Sequence, residues 1–244
     1  DIWYDGAGWC ISFTSNDKVV KQGTPIGSIS DDLKKREQIR MTIEAHLDKE
    51  LVLNPQNIKV LSLFFIDRVA NYRMYDEEGN RLKGKYAKIF EEEYTKLIRK
   101  PKYHTLFEDL RDRDVDVNQI HDGYFSVDKK SKASNKKDKF EFYVDTSGST
   151  AKDDDTFNLI MNKKEELLSF ESPLRFIFSH SALSEGWDNP NVFQICTLNE
   201  TTKELKKRQE IGRGLRLCVN QEGERVKGFD VNTLTVMANE SYEE

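Results

Sequence analysis

The sequence predicts an α/β fold built on a mostly parallel sheet, and three observations carry that reading. The runs 58–66 (IKVLSLFFI), 174–178 (LRFIF) and 192–198 (VFQICTL) are too continuously apolar for one-faced strands. They suit strands covered on both faces. Helical patterns lie at 31–51, 85–99 and 157–170, as crossover connections between parallel strands require. Finally, dense polar clusters follow the later two runs, on the edge where ligands gather in open α/β sheets.

In chain order, residues 1–30 hold β-prone pieces at 9–14 and 18–20, broken by Asn16-Asp17, Gly23 and Pro25, and read as a β-hairpin. Trp3 and Trp9 read as cover for its apolar face, with base stacking the weaker alternative. Residues 31–244 form the main domain, with a polar insertion over about 70–150. Ser30-Asp31-Asp32 offers an N-cap to the first helix, whose inward face carries Leu33, Ile39, Ile43 and Leu47. Asn54-Pro55 ends it, and 58–66, the strongest strand, belongs at the sheet centre. Asp67 and Arg68 follow, either capping the next turn or touching nucleic acid.

Residues 79–86 (GNRLKGKY) spell GxxxxGK, but Tyr86 stands where a phosphate loop needs Ser or Thr to hold Mg²⁺. The stretch reads as a polar turn before the helix at 85–99. Between 101 and 148 the pattern weakens. Strands at 124–127 and 140–144 flank a lysine-rich run that reads as a solvated loop. Asp153-Asp154-Asp155 reads as the acidic start of the helix at 157–170. Residues 221–224 form a turn, and 233–237 is a last strand.

The chain has 244 residues, net charge −5 and a pI near 5.6, which permits one large domain but argues against DNA binding by global charge. Charged residues make up 33%, so much of the chain is polar surface. Three cysteines and four histidines lie without metal or disulfide spacing, so no metal site is expected and a cytoplasmic setting fits. No run is long enough to cross a membrane, and the start reads as a cut within a longer protein.

The sharpest chemistry lies at 179–216. Gln209, Arg213 and Arg216 fall at i, i+4 and i+7, one face if all three are helical. Gly212 and Gly214 each cost a helix about 1 kcal/mol, so this segment needs close backbone approach or an early helix end. Arginines beside glycines suit phosphate, since the guanidinium fork pairs two oxygens and stays charged.

QEIGRGLR resembles motif VI of superfamily 2 helicases, and SALSEGWDNPNV resembles their motif V. With LSLFFIDRVANYR and the ending VNTLTVMANESYEE, the chain from about residue 39 to 244 resembles the Res subunit of type III restriction enzymes. That resemblance implies a RecA-like α/β domain, the second of two in an ATP-driven DNA translocase. It places Arg213 and Arg216 as catalytic arginine fingers, and Gln209, Gly186 and Asp188 at the nucleotide. His180, Ser181 and Arg68 fall at positions facing DNA, although His180 stands where some relatives have Thr. ATP and Mg²⁺ would be bound mainly by a first RecA-like domain that this sequence does not contain, so the chain alone would be inactive. Implied partners are DNA, that first domain, a nuclease domain of the same chain and a modification methyltransferase subunit. The alternatives are another superfamily 2 repair translocase, or a non-catalytic module that binds nucleic acid or protein.

Overall fold

The computed structural model of the chain describes residues 2–4, 8–13, 16–21, 30–76, 78, 80–108, 116–125, 164–180, 189–199 and 211–238. It divides into two compact units, Asp1–Lys34 and Lys35–Glu244. In the first, β1 (Ile2–Tyr4), β2 (Trp9–Phe13) and β3 (Asn16–Lys21) form an antiparallel sheet in that order. The expected hairpin therefore gains a third strand. Trp3 is 37% exposed and pairs directly opposite Cys10, which is buried.

The second unit is built on five parallel strands: β4 (Leu61–Phe65), β7 (His121–Tyr124), β8 (Phe176–Ser179), β9 (Val192–Thr197) and β10 (Thr235–Met237). Their order across the sheet is β10-β9-β4-β8-β7. The fold is the expected α/β RecA-like parallel sheet with flanking helices. β4 lies at its centre, as its unbroken apolar run predicts, and all five of its residues are buried.

Period-two alternation along β4 divides the core between the two faces. Phe64 and Ile66 join Phe176, Phe178, Cys196 and Leu198 beneath helices α1 (Asp31–Leu53) and α2 (Lys85–Leu97). Leu61, Leu63 and Phe65 join Ile177, Val192 and Ile195 beneath the short helix α5 (Lys164–Leu168). Stacked and edge-on rings of Phe64, Phe90, Phe176 and Phe178, with centroids 4.5–6.3 Å apart, fill the α2 side.

Ser30 caps α1 through Oγ, which accepts from the Leu33 amide at 3.3 Å. Ile39, Ile43 and Leu47 are fully buried, but Leu33 is exposed, because the helix meets the core only beyond its first turn. Arg36 bridges α1 to α2 through Glu92 (2.8 Å) and Glu93 (2.5 Å).

The weakly patterned stretch before residue 126 contributes to the main sheet. His121–Tyr124, shifted from the expected 124–127, is the edge strand β7. Its sequence HDGY has no apolar run, so periodicity gives no signal for it. α3 (His104–Glu108) and α4 (Val117–Ile120) precede it. Before α2, β5 (Arg73–Tyr75) and β6 (Arg81–Lys83) make a separate antiparallel hairpin. The strand expected at 140–144 lies outside the described residues.

Beneath the sheet runs a buried polar chain. The Ser62 hydroxyl lies 2.8 Å from His46 Nδ1 and donates to Gln194 Oε1 at 2.9 Å. His46 Nε2 is 3.2 Å from Glu50 Oε1, and Arg175 Nη1 donates to both Glu50 oxygens at 3.2 Å. Burial alone would raise the Glu50 carboxyl, but the Arg175 guanidinium holds it well below the usual carboxylate range. Burial keeps His46 neutral by lowering its pKa, against the pull of Glu50. Lys59, also buried, donates to the carbonyls of Leu167, Ser169 and Ser172 at 2.7–2.8 Å, closing the C-terminus of α5.

This buried chain sets two expected outcomes. Arg175→Leu strands the buried Glu50 carboxylate and should cost about 3–5 kcal/mol in a denaturant titration, with Glu50→Leu in the same chain recovering most of it. Both Glu50 and His46 have depressed folded pKa values, so their stabilisation is complete at high pH and lost on acidification. Unfolding free energy should start to fall as pH drops below 6.5, where unfolded His46 takes up a proton, and fall further below 4.5 with Glu50. His46→Asn should remove the first step of that decline.

Candidate functional site

The carboxyl ends of the three central strands are laced together. The Ile66 amide donates to Ser179 O at 2.8 Å, and the Leu198 amide donates to Phe65 O at 2.7 Å. The chain therefore leaves β8, β4 and β9 at one level of the sheet edge. Two residues expected to face DNA lie just beyond it: His180 directly follows β8, and Arg68 follows Ile66 by two positions. Arg68 is exposed and His180 half-buried. Asp67 braces the next turn without capping it, its Oδ1 accepting from the Arg68 amide at 2.9 Å and from the Asn71 side-chain Nδ2 at 2.8 Å. Ser181, Gly186, Asp188 and Gln209 lie outside the described residues.

The arginine segment departs from a simple helical stripe. Helical geometry ends at Gly212. The Gly214 amide donates to Ile211 O at 3.0 Å and the Leu215 amide to Gly212 O at 3.4 Å, so the chain turns tightly through Arg213. Arg216 therefore lies past the helix end, while Gln209 falls outside the described residues. The cause is local packing. A Cβ on Gly214 would lie 2.4 Å from Leu234 Cδ1 and 3.3 Å from Ile195 Cδ1. Only a glycine lets this backbone settle against β9 and the segment before β10 undisturbed. Gly212 has open space around it among the described residues. The turn leaves Arg216 exposed and Arg213 half-buried.

The segment beyond the arginines is clamped firmly. Asn191 Nδ2 donates to Lys59 O (3.0 Å) and Val219 O (2.9 Å), while its Oδ1 accepts from the Val219 amide (2.8 Å). One buried amide thus ties the chain after the arginine turn to the residues ahead of β4. Asn189 Oδ1 fixes the Asn191 amide at 3.0 Å. Asn232 Oδ1 accepts from the Cys218 amide at 2.9 Å. In the sequence Asn189-Pro190-Asn191 stands out only within the motif V resemblance, although an Asn on either side of a proline is a residue type that bonds backbone when buried. The expected turn at 221–224 is present, with Gly223 at φ 80° and the Asn220 amide donating to Glu224 O at 3.0 Å.

The GxxxxGK stretch forms no phosphate loop. Gly84 packs on backbone, where a Cβ would lie 2.4 Å from the Asn71 carbonyl carbon, and Tyr86 is buried in the α2 core. Among the described residues no three His, Cys, Asp or Glu side chains converge as a metal site. Nor is any helix among them long and apolar enough to cross a membrane.

No protein-family model matches the chain. It is 37% identical over 230 residues to the type III restriction-modification enzyme EcoPI Res subunit of Escherichia phage P1, covering 93% of this chain and 22% of that protein. It is 36% identical over 231 residues to the EcoP15I Res subunit of Escherichia coli, with 93% and 22% covered. The StyLTI Res subunit of Salmonella typhimurium matches at 36% identity over 213 residues, with 77% and 20% covered. The chain thus spans about a fifth of the length of these relatives.

The Gly214 packing makes a direct prediction. Gly214→Val should lower stability by about 1–3 kcal/mol through overpacking, and Leu234→Ala should recover part of that loss. Gly212→Ala, with open space, should be neutral or slightly stabilising in the same thermal-melt comparison.

Proposed function

The chain belongs by homology with the Res subunits of type III restriction enzymes, matching about a fifth of their length, and from that premise we propose that it is the second motor domain of their ATP-dependent DNA translocase. The observation that carries this reading is the glycine-anchored turn, which packs Gly214 against β9 of a RecA-like sheet and leaves Arg216 exposed and Arg213 half-buried. Such a half-site suits a triphosphate presented by another domain.

In this reading ATP is the substrate, bound between this domain and a first RecA-like domain. The accompanying Mg²⁺ is assigned to that first domain as well. Arg216 and Arg213 neutralise charge developing on the transferred phosphoryl group. An arginine finger of this kind is worth about 10³ to 10⁵ in rate. Gln209, Gly186 and Asp188 complete the nucleotide face, with Asp188 linking nucleotide state to strand contact.

His180 and Arg68 follow β8 and β4, whose carboxyl ends are laced at one level, so DNA crossing that edge would meet them, and Ser181 is assigned the same role from its place next to His180 in the sequence. Opening and closing of the two domains then moves the strand. The partners in this reading are DNA, the first motor domain, a nuclease domain of the same polypeptide and a modification methyltransferase subunit.

The test uses the intact subunit. Arg216→Ala should abolish DNA-stimulated ATP hydrolysis while leaving ATP binding and the unfolding midpoint near wild type, because the side chain is exposed. Arg216→Lys should fail as well, since an ammonium cannot reproduce the planar fork. Hydrolysis at the wild-type rate in Arg216→Ala would end the arginine-finger reading.

A further inference from the structure

The β5–β6 hairpin is a built and charged surface that the motor reading does not use. Its tip is fixed by Asp76, whose Oδ1 accepts from the amides of Glu78 (3.0 Å) and Asn80 (2.7 Å). Its base is closed by the Gly84 amide donating to Tyr72 O at 2.7 Å. Tyr72 is buried, stacked on Phe178 with centroids 4.4 Å apart.

Register determines what the hairpin displays. Arg73 pairs with Lys83, and Tyr75 with Arg81. Directly opposed residues and those two apart share a face, so three cations and a tyrosine occupy one side. Like charges placed directly opposite destabilise a strand pair. Here the Arg73 guanidinium lies 5.1 Å from the Phe125 ring, and Lys83 is held by Glu91 at 2.8 Å. A net acidic chain thus concentrates positive charge on six strand residues.

That cationic face lines a cavity of about 520 Å³, within the size range of small-ligand sites. Carboxylates and amides face it across the cavity lining: Glu91, Asp116, Asn118, Gln119 and Asp122 contribute to it. Several of these groups are already oriented. Asp116 Oδ1 caps α4 by accepting from the Asn118 amide at 3.1 Å, and Asp122 Oδ1 accepts from the Gly123 amide at 2.7 Å. At the cavity floor, His121 bridges the Tyr72 hydroxyl (2.8 Å) and Glu91 (3.1 Å).

A polyanion alone would meet carboxylates in this cavity, and a cation alone would meet arginines. A nucleotide carries both complements, an anionic phosphate and a base edge whose amino groups donate to carboxylates and amides. We propose that this cavity seats one nucleotide, its phosphate on Arg73 and Arg81 of the hairpin and its base edge toward Asp122, Asn118 and Gln119. The same chemistry is offered by a unit of a single DNA strand and by a free nucleotide. The site does not rest on the arginine turn after β9.

The intact subunit should be irradiated with two probes in turn, a single-stranded oligodeoxynucleotide containing 4-thiothymidine and 8-azidoadenosine monophosphate. Labelled peptides are then mapped by mass spectrometry. Label within 72–83 or 116–125 supports the site, and the probe that gives it identifies strand or free nucleotide as the source. Arg81→Ala should cut that label about tenfold, as loss of one charge-assisted contact implies. Arg81 is exposed, so its unfolding midpoint should stay at the wild-type value. Hydrolysis of ATP without DNA should also be unchanged in this variant, which separates failure here from failure of the arginine reading. Label confined to other peptides with both probes, or undiminished in Arg81→Ala, would overturn the proposal.

Discussion

The placement of β4 between β8 and β9 is the constraint on which the rest of the main unit depends. A strand buried on both faces must have every backbone group paired and both rows of side chains covered. β4 meets the first demand by parallel ladders to two neighbours, and the second by two separate apolar clusters. The chain is then obliged to leave β8, β4 and β9 at one edge, which is where the polar segments expected to bind ligands begin.

Polar groups beneath the sheet fix register where apolar contacts would tolerate a slip. Ser62, His46, Gln194, Glu50 and Arg175 connect β4, α1, β9 and the approach to β8 through side chains that are almost wholly buried. Such groups cost desolvation, and the bonds among them form only in one alignment. Asn191 and Lys59 do the same just ahead of β4, joining it to the segment after the arginine turn and to the end of α5. The arginine turn is thus held by its surroundings as much as by its own backbone.

Much of this was legible in the residues, and the exceptions share a cause. The runs 58–66, 174–178 and 192–198 mark the central strands, because double-sided burial leaves an unbroken apolar signature. Ile39, Ile43 and Leu47 mark the inner face of α1, and Tyr86 correctly disqualifies the GxxxxGK stretch. Leu33 misleads, since periodicity says which residues share a face but not where along a helix the core begins. β7 escapes notice because HDGY makes its place through pairing with β8, and its His121 through bonds to Tyr72 and Glu91. Of the candidate site, the identities and order of Arg213, Arg216, His180 and Arg68 are sequence information. Their separation into an exposed and a half-buried arginine is not.

By itself, the sequence determined the α/β class, the central strand, the glycine-flanked arginines and the likeness to type III Res subunits, because each is written in local composition, spacing or motif. Tertiary structure alone decided where the arginine helix stops, which asparagine clamps the segment after it, and that Arg73, Arg81 and Lys83 share one face that lines a cavity. Those outcomes depend on contacts between residues far apart in the chain, such as Gly214 with Leu234 or Asn191 with Val219. No local periodicity encodes which distant side chain will occupy the space beside a given backbone.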